Sequence, residues 1–563
     1  MPPRIALVLT LLALAGASLC GCRAPQSTGA GIGVSTGSQS SPAAPPEIPE
    51  RDKAEACAAY SSGVLHDLNG ETSAAMEDYR RAALHDPAST DLVLEVTQRM
   101  ISVGQYDAAR EILAAATARP GAPWDLYARL GYVCTKLNRT DEAIRANRAA
   151  IHGNPRALVG YQNLVLNYLH ADKPQSGWSV LQDAAAVKDV SPEFLVGLAE
   201  LFTSYGMQEP ASRKQANEQA GAVLRRAAQL DIPDPELRLK LADGFNLLGQ
   251  DAEAIDVYAG LLKMLPAGST QALGVRVKLS NCYLRIQQPE KAMEQLQAVI
   301  RENPTDIQAY YRLGSIAFDQ KQYASAVEYF SKGLLLDPEF ERGYAFLAEA
   351  QLHASQAAEA QQTLEKGLGK FPESFELEYL AAVTGTEQKD FTNAVNHFTR
   401  AEIIGRAAAT NRLDAFFYFQ FGAACERKGD LKQAEQYLER SLQLKPEFSD
   451  AQNYLGYMWA ERGENLERAR DLIEKALKAE PRNSAFLDSM GWVLFRLHQP
   501  EQALNYLLQA QALSGEPDAT VCDHLGDVYA ALGRQEEARA AWTKSVSLEK
   551  NDRVQQKLGP AAP

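Results

Sequence analysis

The feature that most constrains this chain is a small residue that returns about every 34 positions inside an apolar helical pattern. Ala75, Ala109, Ala143, Gly177, Ala220, Ala254, Ala292, Ala326, Ala360, Ala394, Ala434, Ala469, Ala503 and Ala538 mark it. Eight of the thirteen intervals are 34 residues, and the others are 43, 38, 40, 35 and 35. Twelve residues before each mark (thirteen at Ala469) stands another mostly small residue, as at Gly63, Gly131, Gly314, Gly422, Gly456, Gly491 and Gly526. Seven residues after it comes a third, as at Ala82, Ala116, Ala150, Ala227, Ala476 and Ala510. Two helices approach closely only where small residues face each other, with large apolar side chains flanking at i, i+3, i+4 and i+7. In residues 307–340, Tyr310, Leu313 and Ala317 give a first helix its stripe, and Ala326, Phe330 and Gly333 a second. Pro closes eight units, at 87, 155, 266, 304, 338, 372, 446 and 481, because its ring blocks helix continuation. Neither helix buries its stripe alone, so neighbours must stack. The expected fold is all-α, a right-handed α-solenoid of about fourteen helix–turn–helix units.

This pattern resembles the tetratricopeptide repeat (TPR) family over roughly residues 56–552. Thr97 and Val165 stand where the family has its helix-packing glycine, and several units lack the closing proline. The fifth unit carries extra residues around Gly206–Ala216, and the join after Ala401 is longer than the rest. The units group as 56–234 (one to five), 235–408 (six to ten) and 415–552 (eleven to fourteen), with a short tail at 553–563.

The amino terminus reads as an address. Arg4 precedes an apolar run from Ile5 to Leu19, too short to span hydrocarbon and suited to a secretory signal peptide over 1–21. Leu19-Cys20-Gly21-Cys22 resembles the bacterial lipoprotein signal, which implies lipid modification at Cys22. Arg23 after it is compatible with transfer to the outer membrane, facing the periplasm. Residues 22–50 make a tether: from Arg23 onward, 20 of 28 residues are Gly, Ser, Thr, Ala or Pro and none is aromatic. Such a stretch buries too little apolar surface to fold by itself.

Charge and motifs exclude several function classes. The 57 Lys+Arg against 71 Asp+Glu give a net charge of −14, so phosphate attraction is missing and no nucleic-acid partner is expected. The eight His form no HExxH pair, and the chain has no phosphate loop, GxSxG elbow or CxxC. No enzyme activity, cofactor, metal or small-molecule substrate is therefore expected. Cys57, Cys134, Cys282, Cys425 and Cys522 lie 77 to 148 residues apart, too far in a solenoid to bridge, and read as packing residues.

In the family the first helices line a concave surface that usually binds peptides or folded proteins. By repeat position the inward residues here include Tyr311, Phe318, Phe346, Tyr379, Phe416, Phe419, Tyr457, Trp492 and Phe495, concentrated in units eight to thirteen. Aromatic anchors carry binding energy because each offers a large apolar area with few rotors. The competing reading is that most of them pack against neighbouring helices. Changing Tyr457 and Trp492 to Ala is expected to abolish partner capture with little effect on melting. Arg312, Arg342, Glu349, Glu426, Arg427, Glu461, Asp488, Arg496 and Asp527 would set polarity around them. The segment Asp488–Leu494 also resembles one found in TPR lipoproteins of Gram-negative bacteria. Those lipoproteins serve pilus assembly, exopolysaccharide export, outer-membrane protein insertion or cell-wall synthesis, and the sequence favours none of these. The expectation is a non-enzymatic, lipid-anchored scaffold for protein or peptide partners, touching the membrane only through its lipid. A non-catalytic subunit or relative of an envelope enzyme, such as a glycosyltransferase or protease complex, and a self-assembling structural array are the alternatives. The end of the solenoid is either capped by a short helix over 554–558 or left as a docking face.

Overall fold

The computed structural model describes residues 48–408 and 411–558. The signal peptide, Cys22 and nearly all of the tether lie outside the described residues. Among the described residues the regular structure is all-helical: 29 α-helices, one 3-10 turn and no strand. Twenty-eight of the helices form fourteen hairpins, from Glu50–Leu68 with Thr72–His85 to Ala519–Ala531 with Gln535–Leu548. The remaining one, Asp552–Lys557, ends the fold. The first helix starts at Glu50, directly after Pro49, so the folded region begins earlier than the expected residue 56.

Hairpin eight shows how the sequence writes each unit. Asp306 caps the first helix, Ile307–Asp319, its carboxylate accepting from the Ala309 N–H at 2.9 Å. Tyr310, Leu313 and Ala317 are buried as the spacing predicts. The chain then reverses through Lys321 at φ 58°, and the N–H groups of Lys321 and Gln322 reach back to the last carbonyls of the helix at 2.8 Å. The second helix, Tyr323–Leu336, buries Ala326, Phe330 and Gly333 and stops just before Asp337-Pro338. The left-handed residue recurs at the same turn, at Asn138, Asp172, Ser355, Lys389 and His498, with Gly at 70, 104, 249 and 533.

The small-residue marks are contact points. A Cβ on Gly456 would stand 2.9 Å from the Ala469 carbonyl oxygen, so only hydrogen fits where these helices cross. Extra residues in the fifth unit go into longer helices, Pro192–Gln208 and Arg213–Ala228, with the 3-10 turn Pro210–Ser212 between them. The longer join after Ala401 extends the second helix of hairpin ten to Ala407.

Two compact units divide at Glu302 and Asn303, the join of hairpins seven and eight. The boundaries expected at 234/235 and 408/415 are also joins between hairpins but fall inside these units. In the first unit one core gathers Phe202, Tyr205, Phe245 and Tyr258, and another Tyr79, Met100, Ile112 and Leu113. In the second, the main core joins Phe398, Phe417, Phe421, Trp459 and Trp492. The terminal helix caps that unit: Val554 is buried against Ala538 and Trp542. No helix of the described residues is long and apolar enough to cross a membrane.

Candidate binding surface on the first helices

Within the second unit, first helices lie side by side, as Ser449–Arg462 touches Ser484–Arg496, which in turn touches Ala519–Ala531. Residues facing out from this layer are the candidates for recognition. The run Phe416-Phe417-Tyr418-Phe419-Gln420-Phe421 shows how helical rotation sorts them. Phe417, Tyr418 and Phe421 are buried, whereas Phe416 is 50% exposed and Phe419 half-buried. Phe416 lies 6.5 Å from the Phe448 ring, and Phe419 sits between Phe448 at 5.3 Å and Tyr454 at 5.7 Å. Lys445 stands over Phe448 at 5.3 Å. Tyr454 donates its hydroxyl to Glu426 at 2.9 Å, and burial with that carboxylate pushes its pKa up to about 12. Tyr379, half-buried, donates to Gln420 at 2.6 Å and lies parallel to Phe375. Together these rings make an apolar band with polar ends held in place.

Phe318 and Phe346 are also half-buried. Phe318 packs edge-on against Tyr323 and His353, and Phe346 carries the Arg342 guanidinium 5.1 Å above its ring. Two expected anchors are core instead. Tyr311 is 7% exposed, boxed in by Phe330, Phe340 and Phe346, and burial pushes its pKa up to about 12. Trp492 is 3% exposed because hairpin fourteen lays His524 flat against it, at 4.1 Å and 14° between planes. A side chain already buried by its neighbours has little area left to offer a partner. Tyr457 and Phe495, beside Trp492, remain half-buried and accessible.

His524 is the residue sequence reasoning missed. Its Nδ1 lies 2.9 and 3.1 Å from the two oxygens of Asp488 on the preceding first helix. Burial alone would lower its pKa; Asp488, with Glu461 and Asp523 further off, outweighs burial and raises it. The only available signal was register: the two residues are 36 apart, close to one repeat, on the same helix layer.

The described thiols sort by burial. Cys134, Cys282, Cys425 and Cys522 are buried and Cys57 is exposed, against its expected packing role. Burial pushes Cys134 and Cys282 up to about 11 and Cys425 up to about 12, far from thiolate character at neutral pH. Asp52, Glu55 and His85 bring three potential ligand atoms within 4.8 Å, but Glu55 already pairs with Arg51 at 3.0 Å on the surface.

Stacked helical hairpins with an aromatic outer layer define a repeat protein of the interaction-scaffold class. Two family models described as tetratricopeptide repeat match residues 269–549 and 101–157, together more than half of the chain. The chain belongs to the tetratricopeptide repeat family. It is 29% identical over 221 residues to a TPR repeat-containing protein of Pseudomonas aeruginosa, covering 39% of this chain and 36% of that one. It is 27% identical over 135 residues to the type IV pilus assembly protein PilF of the same organism, covering 24% of this chain and 53% of the relative. The chain thus spans about a third of the first relative and about half of the second. A crystal structure of a tetratricopeptide repeat protein from Parabacteroides merdae aligns over 45% of this chain and 97% of its own, at 16% identity and a TM-score of 0.37.

Proposed function

We propose that this protein is a non-enzymatic scaffold that binds protein partners along the first helices of its second unit. The observation that carries the reading is the aromatic band of Phe416, Phe419 and Tyr379. These rings are fixed by neighbours yet keep exposed area, which lowers the ordering cost of binding. In this reading the signal sequence is removed, Cys22 carries lipid, and the chain hangs from the bacterial outer membrane into the periplasm. Its task there is the assembly or export of envelope components. The similarity to a pilus assembly protein is in keeping with such a role. In cells fed a clickable palmitate, wild type takes up label and Cys22→Ser does not. Equal label in both ends the anchoring proposal. Co-purification tests the rest: Phe416→Ala with Phe419→Ala loses bound partners while helicity is retained, and undiminished recovery refutes the surface assigned here.

A further inference from the structure

Ala54, Ala58, Ser61, Leu65 and Leu68 line one side of the first helix of hairpin one, Glu50–Leu68. All five are exposed, Leu65 at 61% and Leu68 at 78%. They follow each other at four- and three-residue steps, carry no charge and stand opposite the buried Ala56, Ala59 and Gly63. Ala58 and Leu65 lie seventeen and ten residues before the small mark Ala75. In later hairpins these two positions face the hairpin before. At the first of them, a Cβ on Gly160 would stand 2.9 Å from Ile151, and one on Gly343 3.1 Å from Leu334, both side chains of the preceding second helix. At the second, Asn167 bonds to Thr135 and Asn147 of hairpin three, and Val133, Ile316, Val493 and Val528 are buried. Hairpin one therefore carries the residues that pack on another hairpin, and among the described residues none precedes it.

We infer that this face is covered by the same face of a second copy, two first helices lying antiparallel about a two-fold axis at Ser61. The inference concerns the first unit and is independent of the partner surface proposed above. In that arrangement the five positions are self-complementary. Leu68 of one chain meets Ala54 of the other, and Leu65 meets Ala58, large on small at each step. A parallel pair would stack leucine on leucine and leave a gap between alanines. The chain's own tether does not supply the cover: residues 23–47 hold only Ile32 and Val34 as large apolar side chains. Nor does the far end of a second copy, which its terminal helix closes, with Val554 buried and Lys557 paired with Asp523 and Asp527 at 2.7 Å. The contact thus closes as a pair and does not grow into a filament.

The test is disulfide trapping of the full-length chain in living cells, with copper phenanthroline as oxidant and a non-reducing gel as readout. Cys57→Ser removes the exposed native thiol and serves as background. Ser61→Cys on that background is expected to give a species of twice the chain's mass. The background alone, and Leu247→Cys on it, are expected to stay monomeric, although Leu247 is 70% exposed. Adding Leu65→Glu and Leu68→Glu to Ser61→Cys should cut the dimer about tenfold, because like charges then enter the seam. Both leucines are exposed in the single chain, so helicity and melting should be retained. No dimer at position 61, equal yields at 61 and 247, or an adduct of any other mass at 61 overturns the proposal. So does a dimer that the two glutamates leave undiminished.

Discussion

The two compact units use one hairpin in two ways. In the first, first helices are tied to neighbouring first and second helices by polar pairs. Asn167 donates to Thr135 at 2.6 Å and accepts from Asn147 at 3.0 Å, and Asn163 reaches the Ala128 carbonyl at 3.3 Å. Lys278 clasps Asp243 at 2.7 Å, and Arg285 clasps Asp251 at 2.9 Å. Apart from the Asn147 Oδ1, which is buried without a partner, such groups direct their hydrogen bonds inside the fold. In the second unit rings occupy the same layer, and ring–ring contacts need no exclusive partner. Phe416, Phe419 and Tyr457 pack on neighbours and still keep area for another molecule. The repeat thus supplies the frame, and the residues between its small positions decide whether a face is sealed or available.

The largest test of this contrast is Trp492→Ala. Because the indole is buried against His524, its loss is expected to cost about 3–5 kcal/mol of stability in a denaturant melt. An unchanged midpoint would return Trp492 to the binding face. Next comes Asn167→Ala in the sealed unit, which leaves the Asn147 amide N–H without its acceptor, though Thr135 keeps its bond to the Gly131 carbonyl, and should cost about 1–3 kcal/mol without altering partner capture. Phe416→Ala has the opposite profile: stability within about 0.5 kcal/mol of wild type, with capture weakened about tenfold.

A pH titration gives a subtler contrast. The folded state raises the His524 pKa, so the charged imidazolium beside Asp488 contributes full stability below about pH 6.5, its ordinary value. That contribution fades as pH climbs through the raised value. Glu461, Asp523 and Tyr457 also face the ring, and Trp492 covers it. Melting of wild type should therefore decline along this alkaline limb, and His524→Gln should flatten it. A limb of the same slope in both proteins would remove the charged pair from the account. The smallest effect is chemical. Among the described cysteines Cys57 alone reacts quickly with a thiol reagent at pH 8, and the four buried thiols wait for unfolding.

The hairpins were legible in the sequence because close helix crossings demand small residues, and that demand repeats at fixed spacing. Gly456 facing the Ala469 carbonyl is that rule in atoms. The state of individual rings was not legible in the same way. Tyr457 and Trp492 each follow the marker glycine of their unit, Gly456 and Gly491, so they share one repeat position. One is half-buried and the other sealed, because hairpin fourteen supplies a flat imidazole to cover Trp492. Exposure at that position is set by the next hairpin, which a single unit's pattern does not contain. The His524–Asp488 pair was hidden for a similar reason, since no local motif links residues 36 apart. The left-handed turn residue was written plainly only where it is glycine, as at 104 and 249, and not where Lys321 or Ser355 takes the same conformation.

The central claim is that recognition belongs to the first helices of the second unit. A photo-crosslinking residue placed singly at Phe416 and at Leu247, in full-length protein inside living cells, tests it most directly. Both side chains sit on first helices, at 50% and 70% exposure, so accessibility does not favour the second-unit position. Protein adducts at position 416 and none at 247 are the predicted result. Adducts at 247 with none at 416 would place recognition on the unit described here as sealed.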